Sequence, residues 1–289
     1  MVTKVKTGIV FEGGAFRTIF SCGVMDALVE NDIMPDYMIG VSAGAAYGVS
    51  MASKQPRRNL DVLMKYRNDK RYLGLSNMID KDNKSIYGLE FSYETIPNEL
   101  NLFDYDAFKQ YKGDFYCVVT NLLTGQTEYM KYTGDDRTNT VLKATCALPM
   151  LFPPIIINDV PYMDGGLSDS IPYLKAIEDG CDRIIVVLTR QSGYTKTTSR
   201  STKAIAYSYR NQYPKLTETM LTRASRYNES LKGLDQYVKE GRIITIQPTT
   251  SKGFSRLEKD KNKILSMYND GYNQCYELLD TIKEFYEIK

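Results

Sequence analysis

Not one histidine or tryptophan occurs among the 289 residues. The first absence matters more. A serine, histidine and aspartate triad cannot be assembled within this chain, so any serine nucleophile must pass its proton to Lys, Asp or Glu. Cysteine is scarce and scattered: Cys22, Cys117, Cys146, Cys181 and Cys275 are odd in number and show no C-x-x-C spacing. Without histidine they exclude the usual zinc sets, so no metal is expected, and buried thiols in a reducing compartment are the plain reading. Charge of one sign is lacking as well: 37 Lys and Arg against 35 Asp and Glu leave a net charge of +2, and no nucleic-acid partner is expected. No stretch approaches the ~20 uninterrupted apolar residues of a membrane span. Residues 1–7 run directly into a strand-like segment with no apolar leader. The expectation is a cytoplasmic protein with no transmembrane segment, and peripheral contact with a membrane surface stays open.

What the chain does contain is ordinary for a globular protein, with 43% apolar and 25% charged residues, and its length suits one large α/β domain or a core with an extension. Its organising stretch is Gly40-Val41-Ser42-Ala43-Gly44. A short apolar run, Tyr37-Met38-Ile39, precedes it, and small residues able to continue as a helix follow. A strand turning sharply into a helix forces the turn residue into a strained conformation and lifts its hydroxyl clear of the sheet, while Gly40 and Gly44 remove side chains that would collide. Ser42 is therefore a candidate nucleophile at a helix N-terminus, where free N–H groups favour developing negative charge. The competing reading is a tight turn that happens to carry a serine.

Upstream, the strand-like residues 8–11 lead into Glu12-Gly13-Gly14-Ala15-Phe16-Arg17 and then into apolar residues at helical spacing. A dinucleotide fold would want G-x-G-x-x-G with an acid about twenty residues on. Here the glycines are adjacent and the next strand ends in G-x-S-x-G, which disfavours that reading. Successive backbone N–H groups of Gly13, Gly14 and Ala15 can instead converge on one point, as an oxyanion hole requires.

Downstream, residues 115–120 and 126–131 read as a hairpin, and 155–157 with 160–163 as a short strand pair that delivers Asp164-Gly165-Gly166. The two glycines permit a tight turn and close backbone approach, so Asp164 is the base that the elbow lacks. An ordinary Asp-Gly-Gly turn is the alternative. Residues 69–101 look irregular, with Pro97 breaking any long helix, and could line a substrate entrance. After Arg183, residues 184–188 form a continuous apolar run, as in a buried parallel strand. The Arg, Lys and Tyr residues between Arg190 and Lys215 read as a solvated face, with contact to anionic headgroups as the alternative. Ile264, Leu265, Tyr268, Tyr272, Tyr276 and Leu279 make a helical stripe that reads as packing.

In order and spacing, Gly13-Gly14-Ala15-Phe16-Arg17, Gly40-Val41-Ser42-Ala43-Gly44, Ala147-Leu148-Pro149 with Phe152-Pro153-Pro154, and Asp164-Gly165-Gly166 resemble the patatin-like phospholipase family, particularly its bacterial members, over roughly residues 7–190. The resemblance implies an α/β three-layer sandwich with a central, mainly parallel sheet, here followed by a mostly helical C-terminal extension over 191–289. It also implies a Ser42–Asp164 dyad, an oxyanion hole at Gly13, Gly14 and Ala15, a basic loop position at Arg17, and no cofactor. Ala15 and Thr18 stand where the family usually has glycine. The expected function is cleavage of acyl esters of phospholipids, lysophospholipids or related lipids through an acyl-enzyme. A catalytically weak member with a regulatory or binding role is the alternative, and amide hydrolysis is a chemical variant.

Overall fold

The computed structural model describes residues 5–81 and 83–288; residues 1–4, part of the expected leader-free N-terminus, lie outside them. Among the described residues eight strands form one sheet: β1 (Thr7–Phe11), β2 (Tyr37–Val41), β3 (Asp114–Asn121), β4 (Thr127–Lys131), β5 (Ile155–Ile157), β6 (Val160–Asp164), β7 (Arg183–Val187) and β8 (Ile243–Ile246). Their order is β5-β6-β3-β2-β1-β7-β8, with β4 paired to β3. The five strands β3, β2, β1, β7 and β8 run parallel, and β4, β5 and β6 are antiparallel additions at one side. Both the hairpin and the short strand pair expected from the sequence are present.

The helices are α1 (Ile19–Glu30), α2 (Ala43–Ala52), α3 (Arg58–Tyr66), α4 (Ser76–Ile79), α5 (Tyr105–Gln110), α6 (Thr140–Cys146), α7 (Tyr173–Glu178), α8 (Arg200–Ser208), α9 (Pro214–Lys239), α10 (Lys261–Glu277) and α11 (Leu279–Phe285). Alternation along the strands sends side chains into a separate core on each face of the sheet. Ile9, Phe11, Met38, Phe115, Ile185 and Val187 face a layer containing α1, α2 and α10. Val10, Ile39, Val41, Val118, Ile184 and Val186 face the opposite layer, with Tyr173 of α7 and Tyr227 and Leu234 of α9. Parallel strands need both faces covered, and the continuous apolar runs in β1 and β7 reflect that. The result is the expected three-layer α/β architecture with a mostly helical C-terminal region.

The segment read as irregular over 69–101 is only partly so. It holds α4 and a wide helical segment of π type, Phe91–Leu100, that contains Pro97. The i to i+5 pattern, seen in the 2.8 Å bond from Asn101 N–H to Ile96 O, accommodates a residue that an ordinary helix interior rejects. Among the described residues no helix is long and apolar enough to cross a membrane.

Strand order places the functional region. The chain steps from β1 to β2 to β3 in one direction, whereas β7 and β8 lie on the other side of β1. Loops leaving the carboxyl ends of β1 and β7 therefore diverge, opening the crevice in which α/β sheets hold ligands.

Candidate active site

Ser42 sits between β2 and α2 with φ 55° and ψ −129°, the strained turn expected of a nucleophile elbow. The sequence accommodates it through glycine on both sides. A Cβ on Gly40 would stand 2.5 Å from the Ala45 nitrogen, and one on Gly44 would stand 2.5 Å from the Phe11 carbonyl oxygen. A third clamp was not visible in the sequence. The buried Thr145 hydroxyl accepts a 2.9 Å hydrogen bond from Ser42 N–H and donates one of 2.6 Å to Val118 O, fastening the elbow to β3 through α6.

Asp164 ends β6 and is 2% exposed. Its N–H bonds to Ala147 O at 2.9 Å, its carbonyl accepts from the Thr120 hydroxyl at 2.8 Å, and Oδ1 accepts from Gly166 N–H at 2.8 Å. Gly165 presses on β3, where a Cβ would overlap Val118 O. Oδ2 is buried with no partner in ordinary hydrogen-bond geometry, although the Ser42 hydroxyl acts on the carboxylate as a donor. Burial pushes Asp164 above the usual carboxylate range, opposed by Ser42, the Arg223 charge and the Gly166 amide. That direction is the one burial among apolar groups requires, and Phe152 and Met163 belong to the neighbouring core.

The glycine loop passes directly over the elbow. A Cβ on Gly13 would lie 2.8 Å from that of Ser42, and one on Gly14 would lie 2.8 Å from the Thr189 hydroxyl. The loop is pinned at its edges by Glu12 N–H to Val187 O at 3.0 Å, Phe16 N–H to Arg256 O at 3.1 Å and Arg17 N–H to Gly14 O at 3.2 Å. Between those anchors the Gly13, Gly14 and Ala15 backbone lines a cavity with Ser42 and Asp164. Ala15 adopts φ 50°, the left-handed region that glycine enters freely. Glu12, which the sequence motifs do not single out, is the loop's tether: one carboxylate oxygen accepts from Thr189 N–H at 2.7 Å and the other from Tyr227 OH at 3.0 Å. An acid immediately after the apolar run Ile9-Val10-Phe11 is the signal that points to it.

Two cavities meet here. Ala15, Ser42 and Leu148 line both. The first, of about 130 Å³, is walled by aromatic residues including Phe16, Tyr47, Tyr72, Tyr87, Tyr93 and Phe152. The second carries Arg17, Arg190, Tyr194, Lys196, Arg223 and Arg256. The solvated-face reading of residues 190–215 is thus corrected for Arg190, Tyr194 and Lys196. The loop after β7 folds back over the sheet crevice and turns these three toward Ser42, a placement set by tertiary contacts rather than local pattern.

The chain belongs to the patatin-like phospholipase family, whose family model matches residues 9–177. A second family model, a domain of unknown function (DUF6363), matches residues 213–287. Among similar proteins, uncharacterized protein YjjU of Escherichia coli is 26% identical over 196 residues, covering 64% of this chain and 52% of that protein. Lysophospholipase nte1 of Aspergillus terreus is 28% identical over 193 residues, covering 63% of this chain and 12% of that one. The chain therefore spans about half of the first relative and a small part of the second. The crystal structure of VipD from Legionella pneumophila aligns with a TM-score of 0.46 at 15% identity, covering 96% of this chain and 67% of that one, a likeness too distant to carry an argument.

Proposed function

We propose that this protein is a serine acyl hydrolase that cleaves lipid esters of the phospholipid or lysophospholipid kind with a Ser42–Asp164 dyad. The observation that carries the reading is the convergence of a strained Ser42 with a buried carboxylate whose Oδ2 lacks an ordinary partner. In the proposed reaction Asp164 takes the Ser42 proton as Oγ attacks the acyl carbonyl carbon. The amides of Gly13, Gly14 and Ala15 hold the oxyanion, and collapse of the intermediate expels the alcohol, which takes the proton from Asp164. Water, deprotonated by Asp164, then attacks the acyl-enzyme, and collapse releases the acid while Ser42 Oγ takes that proton back from Asp164. The aromatic cavity is assigned to the acyl chain, since such pockets bind by apolar burial. A lysophospholipase name among the relatives supports the substrate class.

The division into a hydrolase core over 7–190 and a C-terminal extension over 191–289 is part of the proposal, supported by the second family model beginning at residue 213. So are cytoplasmic location and peripheral contact with lipid surfaces.

The test is hydrolysis of a p-nitrophenyl ester series by wild type, Ser42→Ala and Asp164→Asn, beside fluorophosphonate labelling with mass mapping. Wild type is expected to turn over with label on Ser42, and each variant to lose about a thousandfold or more in kcat/KM. A folded wild type that is inert and unlabelled would overturn the assignment in favour of a binding role.

A further inference from the structure

The second cavity beside Ser42 is unusually cationic. Its wall carries five basic side chains, Arg17, Arg190, Lys196, Arg223 and Arg256, against the carboxylates of Glu12 and Asp164. Among the described residues none of the five forms a close ion pair, and Glu12 is already engaged by Thr189 and Tyr227. Arg17 is 6% exposed, and its Nε is buried without a hydrogen-bond partner. Burial, together with the neighbouring cations, lowers Arg17 to about 10 and Lys196 to about 7. Five cations held beside only two carboxylates are unfavourable unless a further anion joins them.

Arg223, Arg190 and Lys196 are each fixed by a contact of their own. Arg223 of α9 donates from Nε to Gly166 O at 2.5 Å, which sets it over the Asp164 turn. Arg190 stacks on Tyr194 with its guanidinium 4.5 Å from the ring centre, and Lys196 lies 3.7 Å from the centre of the Tyr227 ring. Arg256 is carried by the segment whose carbonyl receives Phe16 N–H from the glycine loop. Four of the five lie beyond residue 177, where the patatin-like match ends.

We propose that this cavity is a headgroup subsite selecting acidic, phosphate-bearing esters, with a glycerol phosphomonoester as the preferred chemistry. The inference rests on the esterase reading above. Shared lining by Ala15, Ser42 and Leu148 puts the subsite next to the aromatic cavity, so a glycerolipid can bridge them with its ester at Ser42, acyl chain on one side and phosphate on the other. Guanidinium groups approaching from several directions suit a tetrahedral dianion. A zwitterionic headgroup would bring an ammonium into the same cationic wall and lose part of the attraction.

The experiment compares 1-oleoylglycerol 3-phosphate with 1-oleoylglycerophosphocholine as substrates for the full chain, below micelle-forming concentrations. Wild type is expected to favour the phosphomonoester at least tenfold in kcat/KM. Arg256→Gln and Lys196→Met are expected to lower that ratio by about tenfold each, chiefly through KM. Arg256 is exposed, so its variant keeps the test informative if Lys196→Met fails to fold. Titration of Ser42→Ala with inorganic phosphate, glycerol 3-phosphate and the lysolipid separates the sources. Tightest binding of the lysolipid supports a headgroup subsite, whereas equal binding of free phosphate overturns it in favour of a free-anion site. A wild-type ratio of one or less, or variants that leave the ratio unchanged, would also overturn it, even with p-nitrophenyl ester hydrolysis intact. Inert p-nitrophenyl esters would instead count against the esterase reading, and the titrations would still judge the cavity.

Discussion

At the scale of single residues, the site depends on conformations that side chains ordinarily avoid. Ser42 and Ala15 both hold positive φ without being glycine, and the left-handed region costs an L-residue about 1–2 kcal/mol. At Ala15 glycine would adopt the same positive φ without that cost. Asp164 carries a second cost. A carboxyl whose folded-state pKa is raised above its unfolded value of about 4 stabilises the fold fully below that pH and loses the contribution as pH rises through the folded pKa. Burial therefore makes ionisation of Asp164 costly to the fold. Asp164→Asn is expected to melt about 2 °C or more above wild type at pH 8, with the difference shrinking toward pH 4, as scanning fluorimetry across pH would show. Wild-type kcat/KM should fall on an acid limb lying above the usual aspartate range. A variant no more stable than wild type at pH 8 would mean that Ser42 and Arg223 offset the desolvation in full.

Among the elements, the crossing of α1 and α10 binds the C-terminal region to the fold. Backbone meets backbone there: a Cβ on Gly271 would overlap the Phe20 carbonyl oxygen, and one on Gly23 would overlap that of Tyr268. In the same interface Asp26, pushed up to about 6 by burial, accepts from Tyr268 OH at 2.7 Å. Overpacking of this kind costs about 1–3 kcal/mol, so Gly271→Ala is expected to lower Tm by roughly 2–10 °C; an unchanged Tm would show that α10 slides without penalty. The sequence indicated this helix by its apolar stripe, and Ile264 and Tyr268 are indeed buried while Tyr276 is exposed. Elements with strong local patterns were legible in this way: β1, β7, the β3–β4 hairpin, the elbow and the strand that presents Asp164. The helix containing Pro97 was not, because its hydrogen-bond pattern departs from the period on which helix reading relies. Arg190 and Lys196 were also misplaced, since a polar segment bending inward has the same composition as one facing water.

For the molecule as a whole, the C-terminal residues supply structure that the first 190 lack. β8 covers the edge of β7, α10 packs on α1, and Tyr286 OH donates to Gly8 O of β1 at 2.6 Å. A chain ending at residue 190 is expected to be insoluble, because it exposes a parallel-sheet edge and the apolar face of α1. Expression of that fragment, followed by gel filtration and circular dichroism, tests this; a soluble, folded and active fragment would show that the extension is dispensable. Glu12 bears on how such a protein can change over time. Its carboxylate is bonded at once to Thr189 and to Tyr227, and so joins residues matched by the two different family models or lying between them. Losing Tyr227 would leave a buried carboxylate oxygen short of a donor beneath the glycine loop, and losing Glu12 would leave a buried phenol without its acceptor. The two positions are therefore expected to drift together among descendants, and a recombinant joining residues 213–287 to a foreign hydrolase core should function only where that core already carries an acid at the end of its first strand.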